Sequence, residues 1–215
     1  PQGLRRLTDG TARNCSQLRK VFLPDSLLEI GQEAFAGCIL LDDLTLPNQL
    51  LTIEANAFRD CHVLNSVVFP ANLRQIGHHA FWNCQALTEV TFVGAPPSRM
   101  NDQPIFEGST ITKINALADM GWEDFFEGIP VNLMDAIIPV ISGLTNNNSD
   151  FFEDQLTVAV SIPGTRELAP VIRYTLDGST PTPQSFLFKA PFELQQDCIV
   201  TARAFLQDQP AGPPV

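Results

Sequence analysis

The sequence predicts a mainly β chain in two parts. A solenoid of 23-residue coils with a C-terminal cap occupies residues 1–135, and a small β-sandwich occupies residues 136–215. Cysteine recurs at positions 15, 38, 61 and 84, followed by the phrases CSQLRKVFLP, CILLDDLTLP, CHVLNSVVFP and CQALTEVTFV. A fixed period of this size marks stacked coils, because one coil cannot bury its apolar face alone. Within each phrase, apolar columns alternate with positions that vary freely. After Asp135 the period is gone, and short alternating segments divided by Gly, Pro, Asp and Ser replace it, the pattern of a sandwich.

The elements follow in order. Leu4 and Leu7 fit the columns of Leu27 and Ile30, so the chain begins at Pro1 inside a coil and reads as a piece of a longer protein. Ala12 stands where later coils carry Phe, which weakens this first coil. Each coil opens on L-x-x-V-x-L. Its columns are Leu18/Leu41/Leu64/Leu87, Val21/Leu44/Val67/Val90 and Leu23/Leu46/Phe69/Phe92. Short length and terminal alternation predict a strand here. Pro24, Pro47 and Pro70 end it, since proline has no N–H for the ladder; Val93 takes that place in the fourth copy. A second extended piece carries Leu27/Leu50/Leu73 and Ile30/Ile53/Ile76. The A-F-x-x-C stretch, with Phe35, Phe58 and Phe81, reads as a tight helical turn whose Phe plugs the core. Burying one such ring contributes about 1.5–3 kcal/mol. Residues 94–134 leave the period, so the repeats are expected to end near Val93 and a cap to follow. An open solenoid end needs cover, and Trp122, Phe125 and Phe126 suit that role.

The second part begins with an apolar strand and an Asn-rich turn in AIIPVISGLTNNNSD (136–150). LTVAVSI, PVIRYTL and CIVTARAF follow as alternating strands.

The phrase L-x-x-I-G-x-x-A-F-x-x-C-x-x-L-x-x-L-x-L-P, complete from Leu27 to Pro47, resembles the BspA-like leucine-rich repeat family. The resemblance covers residues 4 to about 134 and implies a leucine-rich-repeat solenoid. Its terminal coil would end in a short helix and a G-W-x-x-F motif, here Gly121 to Phe125. It further implies a bacterial protein exported to the cell surface or beyond, with a role in adhesion. Tyr174 to Pro181 (YTLDGSTP), with Pro191, Phe192 and Ile199 to Ala202, resembles the chitobiase/β-hexosaminidase C-terminal module over about 137–215. That resemblance implies an immunoglobulin-like or fibronectin-like sandwich accompanying secreted hydrolases and surface proteins. Asp177 and Ser179 read as turn chemistry there.

Composition excludes several classes. The 215 residues carry a formal net charge of −11. Residues 1–135 hold 9 Lys/Arg against 16 Asp/Glu, and residues 136–215 hold 4 against 8. Nucleic acid and anionic membrane surfaces want the opposite sign. No apolar run approaches the roughly 20 residues of a membrane span; the sequence starts at Pro1 without an initiator Met, so its lack of an export signal is uninformative.

The residues with chemical potential read as structural. Coils about 4.8 Å apart would allow disulfides, whose Cα separations run from about 4.4 to 6.8 Å. A cysteine column without C-x-x-C pairs is better read as buried thiols. Cys198 reads as sandwich core. His62, His78 and His79 have no counterpart in other coils, and no nucleophile or orienting group accompanies them; they read as solvent-exposed. Asp42 and Asp43 are strand neighbours and point to opposite faces, a poor acid/base pair for glycan hydrolysis. The segment NNNSD lacks the spacing of a calcium loop. No cofactor and no metal are expected.

The positions that the period leaves free are the functional candidates. Lys20, Asp43, Ser66 and Glu89 form one outward row; Phe22, Thr45, Val68 and Thr91 form the next. The expected function is a non-enzymatic exported surface protein that uses this strand face to bind a host or cell-surface protein, or a glycan. The alternative is a targeting, spacer or carbohydrate-binding region of a larger secreted enzyme that acts on glycans.

Overall fold

A computed structural model describes residues 3–118, 120–135, 140–142, 156–161, 170–194, 198–211 and 214–215. The chain divides into two compact units, Pro1–Asp135 and Ala136–Val215.

The described residues of the first unit form twelve strands: β1 (Arg6–Leu7), β2 (Lys20–Val21), β3 (Glu29–Ile30), β4 (Asp43–Leu44), β5 (Thr52–Ile53), β6 (Ser66–Phe69), β7 (Gln75–Ile76), β8 (Glu89–Phe92), β9 (Ser98–Arg99), β10 (Lys113–Leu117), β11 (Phe125–Phe126) and β12 (Ile129–Met134). They form a solenoid. One parallel sheet runs β1-β3-β5-β7-β9. The L-x-x-V-x-L strands pair on another side of the coil, β2 with β4, and β6-β8-β10-β12 with β11 antiparallel at the end. Ladder register equals the sequence period: Arg6 pairs with Glu29, Lys20 with Asp43, Thr52 with Gln75 and Val67 with Val90. Side chains of one column therefore stack, and Leu27, Ile30, Leu41, Phe58 and Phe81 are closed to solvent, while Leu4, Leu7 and Leu18 of the first coil are partly buried. Phe35, Phe58 and Phe81 stack at centroid distances of 5.3 and 5.1 Å, and Phe69 stacks on Phe92 at 4.3 Å.

The A-F-x-x-C stretch is not the helical turn expected. Glu33, Asn56 and His79, and then Gly37, Asp60 and Asn83, adopt left-handed φ between 54° and 76°, which no α-helix tolerates. Alternate backbone N–H groups turn outward to the next coil, as when Phe35 donates to Ala57 O and Phe58 to Ala80 O, both at 2.8 Å, while Ala36 and Cys38 close turns on Glu33 O and Phe35 O. About half of the hydrogen bonds that a helix would keep inside one segment thus run between coils, and this locks the stack.

The stack also runs further than Val93. Ser98 pairs with Gln75, 23 residues on, but Lys113 pairs with Glu89, 24 residues on. Ser109 substitutes for the missing cysteine: Cys84 Sγ donates to Phe58 O at 3.2 Å, and Ser109 Oγ donates to Phe81 O at 2.6 Å. A short insertion thus hides a fifth coil from the periodic frame. The cap that follows is formed by strands, with no α-helix among its described residues. Trp122 packs on Phe92 at 4.7 Å and donates Nε1–H to Gly94 O at 2.8 Å, and Phe126 lies 6.1 Å from Phe92. Phe125, expected beside them, is instead 61% exposed, because its strand neighbour Phe126 takes the inward face.

Glu127 completes the cap. The N–H groups of Ile105 and Phe106 have no further coil to meet; they donate to its carboxylate at 2.9–3.4 Å. Arg99 Nη1 approaches it at 3.7 Å.

The described residues of the second unit form two antiparallel sheets. Strands β13 (Val140–Ser142), β14 (Leu156–Ser161) and β17 (Phe192–Leu194) form one. The other runs β16 (Phe186–Leu187), β15 (Val171–Thr175), β18 (Thr201–Leu206) and β19 (Gln209–Pro210). Ala202 centres a small core with Ile141, Ile172, Tyr174, Phe188, Phe192 and Val200. Tyr174 stacks on Phe192 of the other sheet at 4.7 Å. The β18 strand starts at Thr201, later than expected, and Ile199 is 67% exposed. The Asn-rich segment 146–150 lies outside the described residues.

Candidate functional site

The strand face of the solenoid is built by repetition. β2, β4, β6, β8 and β10 each bring one polar residue to the same height: Lys20, Asp43, Ser66, Glu89 and Lys113. Charges in this row compensate along the solenoid axis. Lys20 Nζ pairs with Asp43 Oδ2, and Lys113 Nζ with Glu89 Oε2 at 3.2 Å. Such exposed pairs contribute at most about 1 kcal/mol each, so they serve more to set the charge of the face than to hold it.

The second row divides in two. Phe22 is 84% exposed, with Lys20 Nζ 5.0 Å from its ring centroid. Thr45 is half-buried. Val68 and Thr91, expected outward and accessible, are buried at 7% and 2% exposure. Their strands are four residues long where β2 and β4 have two. Short β-branched side chains in a longer in-register ladder are walled by neighbours about 4.8 Å away. The row continues into Asn115, also buried, whose Oδ1 accepts from Asn132 Nδ2 at 2.9 Å. Sequence reasoning did not reach Asn115, because it lies beyond the break in the period.

The expected chemical residues fall into structural places. Cys38, Cys61 and Cys84 are buried, and Cys15 is exposed. Each buried thiol donates to a carbonyl one coil back, Ala12, Phe35 and Phe58 in turn, at 3.2–3.5 Å. Burial pushes the Cys38 thiol up to about 11 and the Cys84 thiol to about 12, and moves Cys61 in the same direction. These thiols stay protonated, which disfavours both nucleophilic attack and metal binding. The histidines are half-buried rather than solvent-exposed. His79 Nε2 lies 2.9 Å from Glu107 Oε2, and His62 approaches Asp60 at 3.8 Å and Asn83 at 3.4 Å. Trp82 carries the Arg59 guanidinium 4.4 Å from its ring centroid. Among the described residues no group of three or more His, Cys, Asp or Glu is placed to hold a metal ion. No helix among them is long and apolar enough to cross a membrane.

Comparison with known proteins supports the architecture. The family model of the BspA type leucine rich repeat region matches residues 1–120 in six copies, and the Fn3 associated model matches residues 160–211. No curated protein matches the chain. Among solved structures, a leucine rich repeat protein of T. pallidum is 29% identical over 54% of this chain and 54% of its own, with a TM-score of 0.48. The pneumococcal vaccine antigen PcpA is 23% identical over 63% of this chain and 35% of its own, with a TM-score of 0.50. A leucine rich cell surface protein from Faecalibacterium prausnitzii A2-165 is 16% identical, covering 72% of this chain and 42% of that one, with a TM-score of 0.40. The PcpA likeness concerns the fold alone, and the match spans about half or less of the length of these structures. The chain belongs to the BspA-type leucine-rich repeat family.

Proposed function

We propose that this chain is a non-enzymatic, exported bacterial surface protein that binds a protein partner on the strand face of its solenoid. The exposure of Phe22 carries the reading. A ring left open beside Lys20, on a face whose other charges are paired, is the kind of aromatic anchor that dominates binding energy. Solenoids present extended faces to partners, and the acidic composition disfavours polyanions. The surface offered by the two rows is Lys20, Phe22, Asp43, Thr45, Ser66 and Glu89. Val68 and Thr91 support it from within.

Binding of the chain to an array of extracellular-matrix and cell-surface proteins tests this. The wild type is expected to retain at least one of them. Phe22→Ala should weaken that binding by about tenfold or more, while Gln49→Ala, at an exposed position outside the strand face, should not. Retention of no arrayed protein, or equal binding by Phe22→Ala, would sink the reading.

A further inference from the structure

The second unit carries an open cleft of about 410 Å³, lined by Tyr174, Thr175, Leu176, Asp177, Gln184, Ser185 and Phe186. Its apolar part is aromatic. Phe186 is 62% exposed, and its ring centroid lies 5.5 Å from that of Tyr174 at 35°. Tyr174 is already stacked on Phe192, so the free ring face belongs to Phe186. The polar part is a carboxylate held in one place. Asp177 Oδ1 accepts from Ser179 N at 2.9 Å and from Ser179 Oγ at 2.6 Å, and Thr175 Oγ1 donates to Ser179 O at 2.6 Å. Gly178 makes this turn possible: its φ is +77°, and a Cβ there would meet Ile199 at 3.2 Å.

These bonds hold the Asp177 carboxyl below its ordinary range, so it is charged at any physiological pH. Among the described residues no Lys or Arg pairs with it. Arg173 points to the other side of β15 by strand alternation and gives Nη1 to Ser185 O at 3.1 Å. By composition the second unit as a whole is acidic, with 4 basic against 8 acidic side chains in residues 136–215. A free ring face and a fixed, unneutralised carboxylate in one cleft are the two halves of a cation–π site. A neutral sugar could stack on the ring and donate hydroxyls to the carboxylate, but only a cation also neutralises its charge, so neutral sugars are the control.

We propose that this cleft binds an organic ammonium group, with Phe186 as the aromatic face and Asp177 as the counter-charge. A lysine side chain of a partner and a free quaternary amine both carry that chemistry. The cleft is built by residues of the second unit alone, and this proposal does not rest on the function proposed for the solenoid face.

The test is a titration of the full chain with choline chloride and, separately, with N-acetyl-lysine amide, followed by amide shifts in the NMR spectrum. A maltose and a chitobiose titration serve as neutral controls. At least one cation is expected to shift the amides of Tyr174, Asp177, Gln184 and Phe186, and which cation does so identifies the source. Asp177→Asn keeps the oxygen that accepts from Ser179, and so the turn, and should weaken binding about tenfold. Phe186→Ala removes an exposed ring and should do the same with the remaining spectrum unchanged. Absence of shifts with both cations, binding of the sugars in their place, or undiminished binding by Asp177→Asn would overturn the proposal.

Discussion

Single residues do their work here through column membership. Phe58 is closed to solvent because a ring of the coil before and a ring of the coil after lie parallel to it. Phe22, in contrast, sits at an outward position of the strand face, where no column receives it. Glu127 shows the same logic at the end of the stack, where a carboxylate supplies the acceptors that a further coil would have offered. Its side chain is only 6% exposed. Burial raises its pKa above the ordinary carboxylate value, against the lowering effect of the Ile105 and Phe106 N–H groups and of Arg99. A carboxyl raised in the folded state binds its proton more tightly there than in the unfolded chain. Its contribution therefore favours the folded state at low pH and is lost as pH climbs from the ordinary carboxylate range through the folded value. In urea unfolding across that window the wild type should lose stability relative to Glu127→Gln as pH rises, since the variant lacks this titration while keeping one acceptor for Ile105. An unchanged slope in Glu127→Gln would assign the pH dependence to other groups.

At the scale of one coil, the limiting dimension is the distance between neighbours. A Cβ added at Gly77 would lie 2.7 Å from Ala55 Cα and closer still to the Ala55 and Glu54 backbone. Backbone cannot step aside as a flexible side chain can. Gly77→Ala is expected to destabilise the solenoid by about 1–3 kcal/mol through overpacking, read as a lower urea midpoint at constant m-value. An unaltered midpoint would mean that the coils can separate locally at no cost. The left-handed residues of the A-F-x-x-C stretch belong to the same scale. Asn14, Gly37, Asp60 and Asn83 occupy one such column, filled by the residue types that tolerate this conformation. A sequence reader sees the Ala-Phe pair and a turn of the right length. The choice between a helix and a chain of turns is made by the coil above, which offers carbonyls to Phe35 and Phe58.

For the whole molecule, the division at Asp135 leads to one expectation. We propose that residues 1–135 form an independent folding unit, so that this segment alone should unfold cooperatively with a midpoint within a few degrees of the solenoid transition in the full chain. Calorimetry of both would check this, and a non-cooperative or strongly lowered transition would refute it. The solenoid core was legible because the 23-residue period is the ladder register itself; any residue in an apolar column was bound to stack on its copy. The candidate face was half legible. Period alone gave the outward direction of Phe22 and Val68 alike, but direction is not exposure. The fifth coil was illegible because the one-residue shift between Glu89 and Lys113 destroys the alignment while leaving the backbone ladder intact. Hydrogen bonds between peptide groups tolerate an insertion in a turn; a column reading of side chains does not. By itself, then, the sequence determined the repeat, the core columns and the acidic charge that limits the partners. Tertiary structure alone decided where the stack ends and what closes it. It also decided which outward residues remain free, since burial at those positions depends on strand length and on neighbours far away in sequence.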